Sequence, residues 1–118
     1  MYNYFLVIGR VASDVTRRVL EDNRVVLSIL VAVQRPFRNS QGAYDTDFLR
    51  VTLWEATAEI VADNVRKGAL IGVKGRLVSK KETLENNQNI YTTELVGDRV
   101  VFFNNVDTKD TKLSLIHI

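Results

Sequence analysis

The sequence contains no cysteine and a single histidine, His117, and these two scarcities exclude several kinds of chemistry. Without cysteine there are no disulfides, no thiol nucleophile and no thiolate ligands for a metal. One histidine near the C-terminus argues against a Ser–His–Asp arrangement. The chain opens without a basic segment, and its first apolar run is far too short to span a bilayer. We therefore predict a cytoplasmic protein with no membrane partner.

The spacings that mark common catalytic and ligand sites are also missing. The carboxylates show no pairing suited to acid–base catalysis, and Asp14, Asp45 and Asp47 do not follow a calcium-loop pattern. The segment GALIGVKG at 68–75 lacks the spacing of a phosphate-binding loop and is typical of a strand. We predict that the protein is not an enzyme and that it has no cofactor and no metal site.

Hydrophobic periodicity predicts one domain made mostly of strands, with one helix. The helix is expected at 57–68, with Thr57 as its N-cap and Gly68 in its C-terminal stop. Five strands with a helix between the third and fourth is the element order of an OB-fold, an all-β Greek-key barrel. The segments with strand-like patterns are 4–11, 24–35, 44–54, 69–84 and 90–103.

The segments between the predicted strands contain residues that are typical of turns. The polar stretch 36–43, which holds the only proline, and ENNQN at 85–89 both predict turns. Gly72 and Gly75 lie inside the fourth strand, where glycine suggests a bulge or a sharp bend of the kind that closes a small barrel. We assign 1–104 to the barrel and 105–118 to a short C-terminal tail.

The segment YDTDFLRVTLW at 44–54 places two kinds of side chain on opposite faces. Period-2 counting puts Leu49, Val51 and Leu53 on one face, and Phe48, Arg50, Thr52 and Trp54 on the other. Single-stranded nucleic acid presents exposed bases and one phosphate per nucleotide, so aromatic platforms beside cations suit it. The hairpin loop repeats this combination with Arg35, Phe37 and Arg38. The predicted strand 69–84 adds a row of cations, Lys74, Arg76 and Lys80.

The same residues allow other interpretations. Phe48 and Trp54 would equally suit packing beneath a neighbouring subunit or under the helix. The cations of the 69–84 strand would equally suit a solvated strand face, or a sheet edge that lysines protect against aggregation. One alternative is therefore an OB-fold scaffold or primosome-type interaction subunit that uses the aromatic face for protein contacts. Another is an RNA-binding protein, because only contacts to the 2′-hydroxyl separate RNA from DNA.

Four segments resemble the bacterial single-stranded DNA-binding protein (SSB) family, in the same order along the chain. They are LVIGRVASDVTRRV, VAVQRPFRNSQGAYDTDFLRVTLWEATAEIVADNVRKG, VKGRLVSKKE and YTTELVGDRVVF. The resemblance covers about residues 3–103 and implies an OB-fold that assembles as a homotetramer. It also implies sequence-tolerant binding and protection of single-stranded DNA in replication, recombination and repair, and a cytoplasmic, nucleoid-associated location.

The resemblance implies roles for individual residues. Phe37, Phe48 and Trp54 match base-stacking positions, and the first strand near Asn3–Gly9 matches a region of subunit pairing. The positions that would contact phosphates are Arg10, Arg35, Arg38, Arg50, Lys74, Arg76 and Lys80.

The sequence departs from the family pattern at two places. Glu82 stands where the family often has an aromatic residue, so one stacking platform is replaced by a carboxylate that repels phosphate. Cellular members end in a long tail with an acidic tip that recruits replication and repair enzymes, whereas this sequence ends in KLSLIHI. Recruitment through such a tip is therefore not expected. A truncated chain, a short paralogue and a phage- or plasmid-encoded version all remain open.

Overall fold

The computed structural model describes residues 1–103. Within that range the five predicted strands and the predicted helix are all present, joined by one additional short strand that follows the first. This addition moves the helix to a place between the fourth and fifth strands. The elements are β1 (Phe5–Val11), β2 (Arg18–Val19), β3 (Val25–Arg38), β4 (Tyr44–Trp54), α1 (Glu55–Asn64), β5 (Leu70–Thr83) and β6 (Asn89–Phe102).

Strand pairing closes the sheet into a barrel. The strand order is β1-β5-β6-β4-β3-β2, and β1 also pairs with β3, which brings the sheet back to its first strand. All neighbours are antiparallel except β4 and β6, which run parallel where Val51–Leu53 meet Leu95–Gly97. The predicted five-stranded barrel is confirmed.

Three hairpin turns share one geometry. In each, an amide N–H donates to the carbonyl three residues earlier, at Leu20, Asn39 or Leu84, over 2.9–3.0 Å. The donor has a positive φ in every case: 68° at Asn23, 79° at Gly42 and 63° at Asn87. Glycine and asparagine are the residues that adopt this conformation most readily. The turns predicted around 36–43 and 85–89 are therefore confirmed.

The barrel interior is filled by the inward faces of the long strands. Leu27, Ile29 and Val31 of β3 meet Val51 and Leu53 of β4 there, and all five are buried. Branched aliphatic side chains dominate this core, as expected for alternating positions on curved strands. The predicted inward face of β4 is correct, although Leu49 at its edge is only half-buried.

A bulge interrupts the β5–β6 pairing at Gly75, as predicted, whereas Gly72 lies in regular pairing with Val101. Lys74 pairs with Arg99 and the next residue, Gly75, pairs with Gly97, so Asp98 is an extra residue on β6. A methyl group built on Gly75 would overlap the carbonyl oxygen of Val96 and lie 2.8 Å from the Cα of Gly97. Only glycine lets the two backbones approach this closely.

Helix α1 begins two residues earlier than predicted, and Thr57 as its N-cap is wrong. Trp54 occupies the cap position and makes no side-chain capping bond. Because Trp54 is still paired with Val26 in the sheet, the chain turns into the helix at Glu55, whose φ is 52°. The predicted end at Gly68 is wrong as well, because the helix ends at Asn64 and Val65 is its C-cap. Gly68, whose φ is 95°, lies in the connection to β5, where its N–H donates to the carbonyl of Val11 over 2.8 Å.

Candidate nucleic-acid interface

The outer side of the β3–β4 hairpin carries the aromatic residues. We call it the outer face and define it by Phe48, Arg50, Thr52 and Trp54 together with their partners on β3. Residues that pair across an antiparallel ladder point to the same side, so the partners of these four also lie there, namely Ala32, Leu30, Ser28 and Val26. Phe48 is 61% exposed, although Val51 and Leu53 behind it are fully buried.

Arg10 extends the outer face across a third strand. Arg10 pairs with Ala32, and Ala32 pairs with Phe48. Two strand spacings of about 4.8 Å therefore separate the backbones of Arg10 and Phe48. The Arg10 guanidinium donates to the carbonyl of Gly68 over 3.1 Å, which fixes its charge at the connection between α1 and β5.

Trp54 lies beneath an arginine that sequence reasoning missed. The Cζ atom of Arg24 is 5.0 Å from the centre of the Trp54 ring, within the range of a cation–π contact. Arg24 Nε donates in turn to Asp22 over 2.7 Å. The Arg24 backbone N–H is the main reason that the pKa of the Asp22 carboxyl lies below its usual value, with the side-chain bond from Arg24 second. Arg24 precedes β3 directly and has the parity of Val26, so counting by two places it on the outer face, but only the register between β3 and β4 brings it over Trp54.

Tyr44 and Arg38 form a second pair of ring and cation toward the hairpin tip. The two residues are opposite each other in the ladder, and the Arg38 Cζ lies 5.4 Å from the centre of the Tyr44 ring. Tyr44 has the same parity as Phe48 and therefore belongs to the outer face. Counting by two along β4 would have found it.

Phe37 lies where the ladder is irregular. Gln34 pairs with Thr46 and Arg38 with Tyr44, so three residues of β3 stand opposite Asp45 alone. Phe37 is 66% exposed in this stretch. Phe37 therefore lies near the end of β3 and not in the predicted loop, although it is exposed close to the hairpin tip.

Arg35 is directed away from the outer face. Its guanidinium donates to Asp47 over 2.9–3.2 Å and lies 3.8 Å from Asp45. Asp47 shares the parity of the inward residues Val51 and Leu53, so this ion pair is on the opposite side of the hairpin. The hydrogen bond lowers the pKa of the Asp47 carboxyl and raises the pKa of Arg35. Arg35 is therefore already neutralised in the free chain.

The three cations of β5 that were predicted to contact phosphates are divided between two places. Lys80 lines a shallow groove with Arg50, Thr52 and Glu82, so it joins the outer face across the gap to the β5–β6 hairpin. The carboxylate of Glu82 is in the same groove, as its departure from the family pattern suggested.

Arg76 and Lys74 lie about 13 and 20 Å from Lys80 along β5, beside the N-terminal segment. The Lys74 Nζ is 5.8 Å from the centre of the Tyr4 ring. Arg76 pairs with Asp98 over 3.2 Å. The structure thus brings Arg10, Arg38, Arg50 and Lys80 to the outer face, whereas Lys74 and Arg76 form a separate cluster.

Comparison with known proteins identifies the family of this chain. The model of the single-strand binding protein family matches residues 2–103. The chain belongs to this family. Its curated relatives include single-stranded DNA-binding protein B of Bacillus subtilis strain 168, which is 35% identical over 102 residues; the match covers 86% of this chain and 90% of the relative.

Other members of the single-strand binding protein family match with similar identity. The single-stranded DNA-binding protein of Oceanobacillus iheyensis is 33% identical over 86% of this chain and 63% of its own length. That of Staphylococcus aureus strain MRSA252 is 33% identical over 98% of this chain and 74% of its own length. The chain thus spans most of some relatives and less than two thirds of others.

The part of the chain that the structure describes was also searched for membrane-spanning helices and for metal-ligating clusters. In residues 1–103 no helix is long and apolar enough to cross a membrane. The same stretch holds no group of three metal-ligating side chains.

Proposed function

We propose that this chain binds single-stranded DNA with little sequence preference and acts by binding, not by catalysis. The observation that carries the proposal is Phe48, a large apolar side chain left 61% exposed above a core that is complete without it. Burying such a side chain is worth about 1.5–3 kcal/mol, so its exposure indicates a partner. A flat ring beside fixed cations suits an unpaired base and its phosphate.

In this proposal the bases stack on Phe37, Phe48 and Trp54. Arg10, Arg38, Arg50 and Lys80 contact phosphates first, because they share the outer face with the aromatics. Arg35 and Arg76 must leave their carboxylate partners before they can bind a phosphate. Lys74 would contact the DNA only if the DNA passes beside the N-terminal segment of the protein. The names of the relatives, which describe single-stranded DNA-binding proteins, support this proposal.

The proposed assembly is a homotetramer. β1 pairs with β3 only at Arg10 and Val11, so within residues 1–103 the stretch Phe5–Gly9 keeps one edge free of strand pairing. Leu6 on this strand is 54% exposed. Asn3 holds the preceding segment against β5 through two bonds to the backbone of Leu77, at 2.8 and 3.0 Å. An ordered strand with a free edge and an exposed apolar side chain supports subunit pairing.

The cellular role that follows is protection of single-stranded DNA in replication, recombination and repair, in the cytoplasm and at the nucleoid. We further propose that the binding domain comprises 1–104. The tail at 105–118 and the expectation that it lacks a recruiting tip lie outside the described residues.

A fluorescence titration tests the binding proposal. Trp54 is the only tryptophan, so quenching of intrinsic emission by oligo(dT) reports directly on the outer face. We expect saturable quenching at low salt and a linear fall of log K with log salt concentration, because bound phosphates release counterions. An RNA oligomer of equal length serves as competitor and gives the preference between the two nucleic acids.

The titration also separates the proposal from its alternatives. A scaffold that buries the aromatic face against protein would show no quenching by oligo(dT), and acrylamide would not reach Trp54 in the free oligomer. A folded protein without quenching at low salt would therefore contradict DNA binding. Sedimentation equilibrium of the same sample measures the oligomeric state, and a monomer at micromolar concentration would contradict the tetramer.

A further inference from the structure

We propose that Arg24 forms a fourth base-stacking platform, in which its guanidinium lies between the Trp54 ring and an incoming nucleobase. This inference rests on the proposed function and names a subsite within it. The β2–β3 turn, Leu20–Arg24, would then be part of the DNA interface.

The first support is the position of Arg24 over Trp54. Its Cζ lies 5.0 Å from the ring centre, and its side chain is still 57% exposed. One side of the guanidinium therefore meets the ring while much of the group remains open to solvent. A planar guanidinium is itself a surface on which nucleic-acid bases stack.

The second support is that Arg24 is held in place by its own turn. Asp22 accepts hydrogen bonds from the Arg24 backbone N–H over 3.2 Å and from Nε over 2.7 Å. The turn is closed by the N–H of Leu20, which donates to the Arg24 carbonyl over 2.8 Å. A cation fixed before binding loses less conformational freedom when a base arrives. Asp22 is thus a positioning residue.

The third support is the neighbourhood of the turn. Val26, two residues after Arg24, pairs with Trp54 on the outer face and with Arg18 of β2. A base above Arg24 would therefore follow the row of aromatics on β4 without leaving the outer face. At the β5 side of the outer face, the carboxylate of Glu82 offers no surface for base stacking. A platform at Arg24 would add a stacking surface at the opposite side.

The test separates stacking from a phosphate contact by using Arg24→Lys, which keeps the charge and removes the planar group. We expect Arg24→Lys to bind oligo(dT) about 5-fold more weakly, within the range of one lost stacking contact, with an unchanged salt slope. On a fully abasic strand of the same length, the variant and the original protein should bind equally, because no base is there to stack. Arg17→Lys is the matched control, since Arg17 is a neighbouring arginine directed to Glu59 and Asp63 of α1.

Other outcomes would overturn the inference. Arg24→Lys with full affinity, together with Arg24→Ala that lowers the salt slope, would make Arg24 a phosphate contact. Tighter binding by Arg24→Ala would make it a cover that bases must displace. Acrylamide quenching of Trp54 in the free protein is independent of DNA: Arg24→Ala should increase it, and no change would disprove the contact. A protein that binds no DNA, with that increase present, would contradict the proposed function and not the Arg24–Trp54 geometry.

Discussion

Arg50 of β4 donates a hydrogen bond from Nη1 to the Oγ of Ser28 on β3, over 3.0 Å. Ser28 stands opposite Thr52, so the bond runs diagonally across the hairpin. It keeps the guanidinium over the outer face that carries Phe48. A side chain already held in this position loses less rotamer freedom when it binds a phosphate.

Replacing Arg50 by alanine should therefore reduce both the affinity for oligo(dT) and its salt dependence. We expect about a 5-fold loss at moderate salt and a slope smaller by about 0.7, the value of one phosphate contact on a single strand. Ser28→Ala should weaken binding only about 2-fold, with the slope unchanged, because the charge stays and only its tether is lost. Fluorescence titrations at four salt concentrations measure both quantities. Arg17→Ala, which changes an arginine paired with α1, is the control, and an equal slope change there would contradict the assignment.

Phe48→Ala should reduce the affinity about 10-fold and leave stability within about 0.5 kcal/mol, because stacking is lost while the buried core is untouched. The salt slope should not change. Tyr91→Ala is the matched control: Tyr91 is 70% exposed and pairs with Lys81, on the side of the β5–β6 hairpin away from Lys80. Equal losses of affinity in the two variants would refute a specific role for Phe48, and urea unfolding checks that both proteins fold.

The sequence predicts the division of β4 well because strand alternation alone sets which side chains share a face. Phe48, Arg50 and Trp54 follow that rule, as does the buried pair Val51 and Leu53. The rule also holds at Arg35, which has the parity of Val33 and meets Asp47 on the other side; the prediction of Arg35 as a phosphate contact did not apply it. Alternation also puts Arg24 on the side of Val26, but it does not give the register between β3 and β4 that brings Arg24 over Trp54. The extra strand β2 has only two residues and is too short for a periodic signal.

The Arg35–Asp47 ion pair should be visible in the titration of Asp47. Its pKa is lowered in the folded protein, first by the hydrogen bond from Arg35 and also by the charge of Arg35. The stability that this carboxylate contributes is present above its unfolded pKa of about 3.9 and is lost as the pH falls through the lower folded value. Arg35→Ala should move the Asp47 pKa upward in a carbon-13 NMR titration. Asp22, which pairs with Arg24, should not move, and an unchanged Asp47 would show that the pair does not form in solution.

Gly75→Ala should lower the free energy of unfolding by about 2–3 kcal/mol, as overpacking in a closed site does. The added methyl group meets the Val96 carbonyl oxygen and the Cα of Gly97, which are backbone atoms that cannot move aside alone. Gly72→Ala is the control in the same strand, since its nearest contact would be 3.6 Å away at Ile8. We expect that variant to change stability by less than about 1 kcal/mol. Equal effects in urea unfolding would show that the bulge does not require glycine.

Glu55 begins α1 with a φ of 52°, a conformation that costs a residue with a Cβ about 1–2 kcal/mol. Glycine relieves that strain but adds about 0.5–1 kcal/mol of backbone entropy to be lost on folding. Glu55→Gly should therefore leave stability unchanged or raise it by up to about 1 kcal/mol. Ala56→Gly, one residue later on the exposed side of the helix, should lower it by about 1 kcal/mol, because its backbone gains nothing from glycine. Thermal unfolding measures the difference between the two variants. A Glu55→Gly protein as destabilised as Ala56→Gly would show that the turn from β4 into α1 is not strained.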